Sequence, residues 1–234
     1  MTDAILRPAI FDDLDGIVAG FTTRAFAPAD ESREATRQRL AAATGFGEIA
    51  GVGQVHRADV AVVREGGVTP EHDGLVTDRP GLLLTTVAAD CALVLLADAE
   101  AGVVGACHSG WRGTVAGIVR QTVGAMEELG ARANRLRAYV GPCISAEAFE
   151  VGEEVAAQFA PSVVLRRPGW ERPHVDLRAE LSAQLEGLGI ASPRVELSDG
   201  CTMTETDRFY SYRAEGGTPG RMLGFIGRRE MGGR

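Results

Sequence analysis

The chain has 234 residues, 45% hydrophobic and 24% charged, the balance of a globular protein long enough for a substantial core. Its net charge of -8 argues against a general nucleic-acid binder, which would present a basic face. All 24 basic residues are Arg, so no lysine is available for Schiff-base or Walker-type chemistry.

The start, Met1-Thr2-Asp3-Ala4-Ile5-Leu6-Arg7-Pro8, lacks the basic segment, apolar core and small-residue cleavage site of a secretory leader. Residues 81–97 form the longest apolar region, but Asp90 interrupts it and no membrane span is expected. Cys91, Cys107, Cys143 and Cys201 therefore read as thiols or metal ligands rather than disulfides, and a cytoplasmic protein is expected.

Residues 17–23 (IVAGFTT) predict an early strand ending at Arg24, and residues 25–30 a loop. Residues 31–43 read as a surface helix with a thin apolar stripe, stopped by Gly45. Residues 51–63 suggest a strand entered through the polar Gln54-Val55-His56, and residues 66–73 are turn-rich. Two apolar runs, 82–87 and 92–97, flank Ala89-Asp90-Cys91 and read as adjacent buried strands. A third, 102–107, delivers His108 into Ser109-Gly110-Trp111-Arg112-Gly113. From near Thr114, apolar residues recur at helical spacing as far as Leu129, with Gly130 as a stop.

Residues 136–140 predict a short strand, and Val151, Val155 and Phe159 a helix ended near Pro161. Asp176 is a plausible cap for a helix burying Leu177, Leu181, Leu185 and Leu188. Residues 195–197 and 222–226 read as closing strands, 199–219 as a functional loop, and 228–234 as a frayed tail. No linker or repeat divides the chain, so one α/β domain over residues 1–234 is expected.

His56, Cys91 and His108 all sit where a strand meets a polar or glycine-rich loop. Two imidazoles and a thiolate suit zinc and leave a fourth position open, although a core histidine and a buried cysteine fit the pattern too. Cys91 could equally be a nucleophile activated by a neighbouring imidazole that Asp90 orients. Cys107 should face away from His108 into the core, while His72 and His174 read as surface residues. Arg112 lies before the expected helix start, where free N–H groups and its fork of donors suit a phosphate. Phe209, Tyr210 and Tyr212, with Arg208 and Arg213, could wall a ring-shaped ligand or form a packed corner.

The chain resembles the YfiH-like family, also known as multicopper polyphenol oxidase (laccase) domain proteins or peptidoglycan editing factor. The matching segments are Gly20-Phe21-Thr22-Thr23-Arg24, Gln54-Val55-His56, Asp73-Gly74-Leu75-Val76-Thr77, Ala89-Asp90-Cys91 and His108-Ser109-Gly110-Trp111-Arg112-Gly113. Further on come Gly141-Pro142-Cys143-Ile144, Phe149-Glu150-Val151-Gly152, Cys201-Thr202 and Asp207-Arg208-Phe209-Tyr210-Ser211-Tyr212-Arg213. The resemblance implies an α/β/β/α layered fold with mixed sheets and a zinc held by His56, Cys91 and His108. It also implies phosphorolysis of adenosine, inosine, guanosine and methylthioadenosine, with adenosine deamination as a second activity.

The laccase label implies copper, but four histidines are too few for a copper cluster. The loop after Arg24 is shorter than the family's, and residues 146–149 replace its Cys-Cys-Tyr. The H-x-E and P-C-x-x-C pairing of known zinc deaminases is absent. On this reading Asp90, Cys91 and Arg112 are catalytic, and Arg24, Gln54, Tyr212 and Arg213 hold the nucleoside. The partners are a nucleoside and phosphate, without nucleic acid or membrane, in a monomer or homodimer. Rival readings are a cytoplasmic amidase editing peptidoglycan precursors and a non-catalytic metal- or redox-responsive binder.

Overall fold

The computed structural model describes residues 3–217 and 220–230. Its strands in chain order are β1 (Ile5–Leu6), β2 (Ile17–Thr22), β3 (Glu48–Gly53), β4 (Val60–Val62), β5 (Gly67–Pro70), β6 (Gly74–Thr77) and β7 (Leu82–Ala88). There follow β8 (Ala92–Asp98), β9 (Val103–Ser109), β10 (Arg137–Val140), β11 (Val164–Leu165), β12 (His174–Val175), β13 (Val195–Leu197) and β14 (Met222–Arg228). The helices are α1 (Arg33–Thr44), α2 (Trp111–Ala116), α3 (Ile118–Glu128), α4 (Glu153–Ala156) and α5 (Leu177–Gly187). One mixed sheet runs β1-β2-β14-β7-β3-β5, and a second runs β13-β10-β8-β9-β6-β4. β11 and β12 pair separately.

Period-two alternation sorts the side chains into layers. On β8, Leu93, Leu95 and Ala97 face the other sheet, whereas Ala92, Val94 and Leu96 face α3 and α5. On β7, Leu82 and Leu84 enter the space between the sheets, and Leu83 and Val87 pack beneath α1 with Leu40 and Phe46. The result is an α/β/β/α sandwich, as the resemblance implied. Ser32 caps α1 and Asp176 caps α5, each accepting a backbone N–H from three residues on.

Several local expectations are corrected. The strands flanking Asp90 are not neighbours, because β7 lies in one sheet and β8 in the other. Residues 51–63 likewise split into β3 and β4, one in each sheet, and part of the turn-rich 66–73 stretch is the edge strand β5. The helix expected from Thr114 starts at Trp111 and breaks at Gly117, whose φ of 80° is left-handed, into α2 and α3. The 151–159 helix is only α4. His174 is buried, its ring stacked 3.7 Å from that of Trp170, because β12 turns it inward. The expected tail is held as far as it is described: Arg228 donates to Gly102 O and Asp78 O, and Arg229 to Thr44 O. Residues 231–234 of that tail, and 218–219 of the long loop, lie outside the described residues. Among the described residues, no helix is long and apolar enough to cross a membrane.

Candidate functional site

His108 is the last but one residue of β9, on the same face as Val104 and Ala106, so alternation carries its ring to the rim of the inter-sheet space. Cys107 points the other way, into the core beneath α3, as expected. His56 stands on the connection from β3 to β4, and Cys91 on that from β7 to β8. Both connections cross from one sheet to the other at the same rim, so residues remote in sequence converge. The donor atoms of His56, Cys91 and His108 lie within 4.8 Å of one another, a group that could hold a metal ion.

Asp73 organises this group. Its Oδ1 accepts a hydrogen bond from His108 Nδ1 at 2.8 Å, which leaves Nε2 for Cys91 and the rest of the group. Its two oxygens also accept the backbone N–H groups of Val55, His56 and Arg57 at 2.9–3.1 Å. These bonds wrap the His56 loop around the carboxylate and hold His56 at a φ of 60°, an uncommon conformation for a residue with a side chain. The orienting carboxylate is thus Asp73 and not Asp90, the one expected from its place beside Cys91.

Asp90 instead ties two parts of the long loop to the crossing strand. Its Oδ1 accepts from Thr202 Oγ1 and its Oδ2 from the Arg213 N–H, both at 2.7 Å. Those bonds offset the left-handed φ of 85° at Asp90, which sets the direction of Cys91.

Burial alone would push the Cys91 thiol up, but hydrogen bonds from His108 and His56 outweigh it and bring the pKa to about 6. Burial lowers that of His108, yet Asp73 and Cys91 raise it to about 9. Both shifts favour a thiolate beside a protonated imidazole. Gly110 leaves room for it: a Cβ there would sit 2.9 Å from Cys91 Sγ and 3.3 Å from His56 Nδ1.

The group opens into a cavity of about 450 Å³, the size of a small-molecule site. Arg33, Arg112, Arg213 and Arg221 line it, together with apolar walls from Ile144, Phe149 and Leu177. Tyr212 lines it too and is 55% exposed, whereas Phe209 and Tyr210 are core residues, so the aromatic segment is part wall and part packed corner. Gln54 reaches the cavity, but its amide is spent on the backbone N–H and C=O of Val87, each at 2.9 Å. Arg112 lies inside the first turn of α2, its guanidinium 4.2 Å above the Trp111 ring. Arg24 is not among the residues lining this cavity; it pairs with Glu215 at 2.5 Å and lies over Tyr210.

A family model described as multi-copper polyphenol oxidoreductase laccase matches residues 25–229. Over 202 residues the chain is 48% identical to a Deinococcus radiodurans protein named purine nucleoside phosphorylase, covering 83% of this chain and 77% of that one. It is 36% identical over 163 residues to a protein of an unknown prokaryotic organism named adenosine deaminase RL5, covering 67% and 62% respectively. The crystal structure of YlmD from Geobacillus stearothermophilus matches with a TM-score of 0.88 at 29% identity, over 98% of both chains.

Proposed function

The chain belongs to the multi-copper polyphenol oxidoreductase laccase family, and from that premise we propose that it is a zinc-dependent purine nucleoside phosphorylase. The observation that carries the reading is that a three-donor group and four guanidinium groups line one cavity. The relative named as such a phosphorylase, at 48% identity, supports the substrate class. Adenosine, inosine, guanosine and methylthioadenosine are the proposed substrates. The relative named adenosine deaminase supports deamination as a second activity.

The donor set fits zinc and does not fit a multicopper cluster. Two imidazoles and a thiolate suit zinc with an open fourth position. A copper cluster draws on many imidazoles, and of the four here His72 and His174 lie elsewhere. Zinc held by His56, Cys91 and His108 would supply a Lewis acid for a substrate oxygen, or a water of lowered pKa for deamination.

The chain's own residues divide the remaining work. Tyr212 offers a ring face to the base, and Arg213 closes the same wall while its backbone N–H is fixed by Asp90. Arg112 is proposed for phosphate, where its fork of donors grips two oxygens at once. The fixed guanidinium groups offset the negative charge of the attacking phosphate and that developing on the departing base.

One geometric feature favours a second reading. Asp73, His108 and Cys91 form a hydrogen-bonded series of the kind that activates a cysteine nucleophile, which suits an amidase. Incubating the protein and its Cys91→Ser variant with inosine, with and without phosphate, separates the two. Phosphorolysis predicts release of the base only with phosphate, and loss of zinc together with activity in the variant. Turnover of inosine that ignores phosphate, or full zinc retention in the variant, moves the hydrolase reading ahead.

A further inference from the structure

Arg24 stands just past the end of β2, a strand held between β1 and β14 in the first sheet. Its turn is well anchored, since the Thr23 N–H donates to Ala4 O at 3.0 Å and Thr23 Oγ1 to Asp3 O at 2.8 Å. From this support Arg24 reaches a segment almost 190 residues away. Its N–H donates to Arg208 O at 2.8 Å, its Nη2 to Phe209 O at 3.2 Å, and its guanidinium lies 4.3 Å over the Tyr210 ring. The Tyr210 hydroxyl returns the contact by donating to Ala27 O at 2.8 Å. Nη2 also donates to Glu215 Oε1 at 2.5 Å, while Glu215 Oε2 accepts the Ser211 N–H at 2.8 Å.

We infer that Arg24 is a positioning residue for ligand binding. Through Glu215 it holds the turn that sets Tyr212 and Arg213 in the cavity wall, and it does not touch the ligand itself. The inference deepens the phosphorylase reading and rests on it for the identity of the ligand, a nucleoside.

The turn is built around the Glu215 carboxylate. The Glu215 N–H donates to Ser211 O and the Ala214 N–H to Ser211 Oγ, both at 3.0 Å, so residues 211–215 close into one α-turn with the two wall residues inside it. A lone turn fixes several dihedral angles for each hydrogen bond it gains, so it needs support from outside. It has that support on two sides. Facing the three-donor group, Asp90 accepts the Arg213 N–H at 2.7 Å. On the far side stands the pair of Arg24 and Glu215, whose side chains are only 31% and 29% exposed, and a charge-assisted bond there is stronger than a neutral one. Tyr212 is exposed, so packing does little to place its ring, which goes where the turn carries it. Arg24 is absent from the lining of the cavity, which leaves it this indirect route to the ligand.

The test compares zinc-loaded Arg24→Gln, Arg24→Lys, Glu215→Gln and the double variant Arg24→Gln/Glu215→Gln with the wild type. Calorimetry reads inosine affinity, mass spectrometry reads amide exchange over residues 209–215, and zinc content and melting temperature report the fold. Losing the charged bond should weaken inosine about tenfold in Arg24→Gln and in Glu215→Gln, with faster exchange over residues 209–215 and unchanged zinc content. The double variant should lose no more than the weaker single one, because both act through one contact. Arg24→Lys should recover part of the affinity, since an ammonium still pairs with Glu215. Affinity that falls in Arg24→Gln but not in Glu215→Gln would mean that Arg24 grips the nucleoside itself, and overturns the inference. A lower melting temperature with affinity unchanged overturns it too, leaving only a structural contact. Glu215 is exposed, so its variant keeps the test valid should Arg24→Gln fold poorly. A wild type that binds no inosine sinks the phosphorylase reading, and amide exchange then decides: faster exchange over residues 209–215 in Glu215→Gln supports the hold on the turn, and unchanged exchange overturns it.

Discussion

Asp73 shows how much of this site hangs on one side chain. It fixes the ring of His108 and gathers three successive N–H groups of the His56 loop, so two of the three donors depend on it. Asp73→Asn should lower zinc affinity about 10- to 100-fold, the usual range for losing a ligand's supporting carboxylate, as read by chelator competition. Zinc affinity within twofold of wild type would show that the His56 loop holds itself. Nothing local in the sequence reveals this role, because the partner ring is 35 residues away. The convergence of His56, Cys91 and His108 was legible, since chemistry-bearing residues at strand ends stand out against apolar runs. The aromatic segment was legible only in part, because spacing does not say which rings are covered. Tyr212→Ala should weaken nucleoside binding with little change in melting temperature, as Tyr212 is 55% exposed. Phe209→Ala should cost about 3–5 kcal/mol of stability, the usual range for emptying a buried aromatic site. Equal losses of stability in both variants would assign Tyr212 to the packed corner as well.

The period-two pattern of the central strands told correctly that Cys107 and His108 face opposite ways, because alternation is fixed by backbone geometry. It could not tell which sheet each strand joins, since a buried strand is apolar on both faces in either. The break at Gly117 escaped for a related reason: Ile118, Val119, Thr122 and Val123 are the buried face of α3 and continue a helical spacing straight across the glycine. The end of β8 carries a feature with a measurable titration. Asp98 is fully buried and accepts the N–H groups of Ala101 and Arg132 and the guanidinium of Arg135. Burial raises its carboxyl pKa, but these bonds prevail and hold it below the ordinary carboxylate range. A lowered folded-state pKa means the unfolded chain binds the proton more readily. The stabilisation is therefore complete above the unfolded pKa of about 4 and is lost as the pH falls below it. Asp98→Asn should be about 1–3 kcal/mol less stable at pH 7 and should show a shallower acid decline in urea midpoints between pH 5 and about 2. Parallel declines in the two proteins would mean that Asp98 titrates alike folded and unfolded.

On the scale of the whole molecule, the candidate metal site is a seam. Two of its three donors ride on connections that pass from one sheet to the other, and the third ends a strand of the second sheet. That layering was implied by the resemblance, while the seam was not, because it exists only once both sheets have docked. Its consequence lies in kinetics. A metal ion cannot template a chain whose donors meet only after the sandwich has closed, so zinc should bind after the rate-limiting step of folding. Stopped-flow refolding should then run at the same rate in zinc and in chelator, while unfolding slows as zinc is added, since interactions absent from the transition state act on the unfolding rate alone. Refolding accelerated by zinc would place the three donors together early. The metal ion, on the expected outcome, acts as a latch fastened last, and its release is the first thing an unfolding chain must wait for.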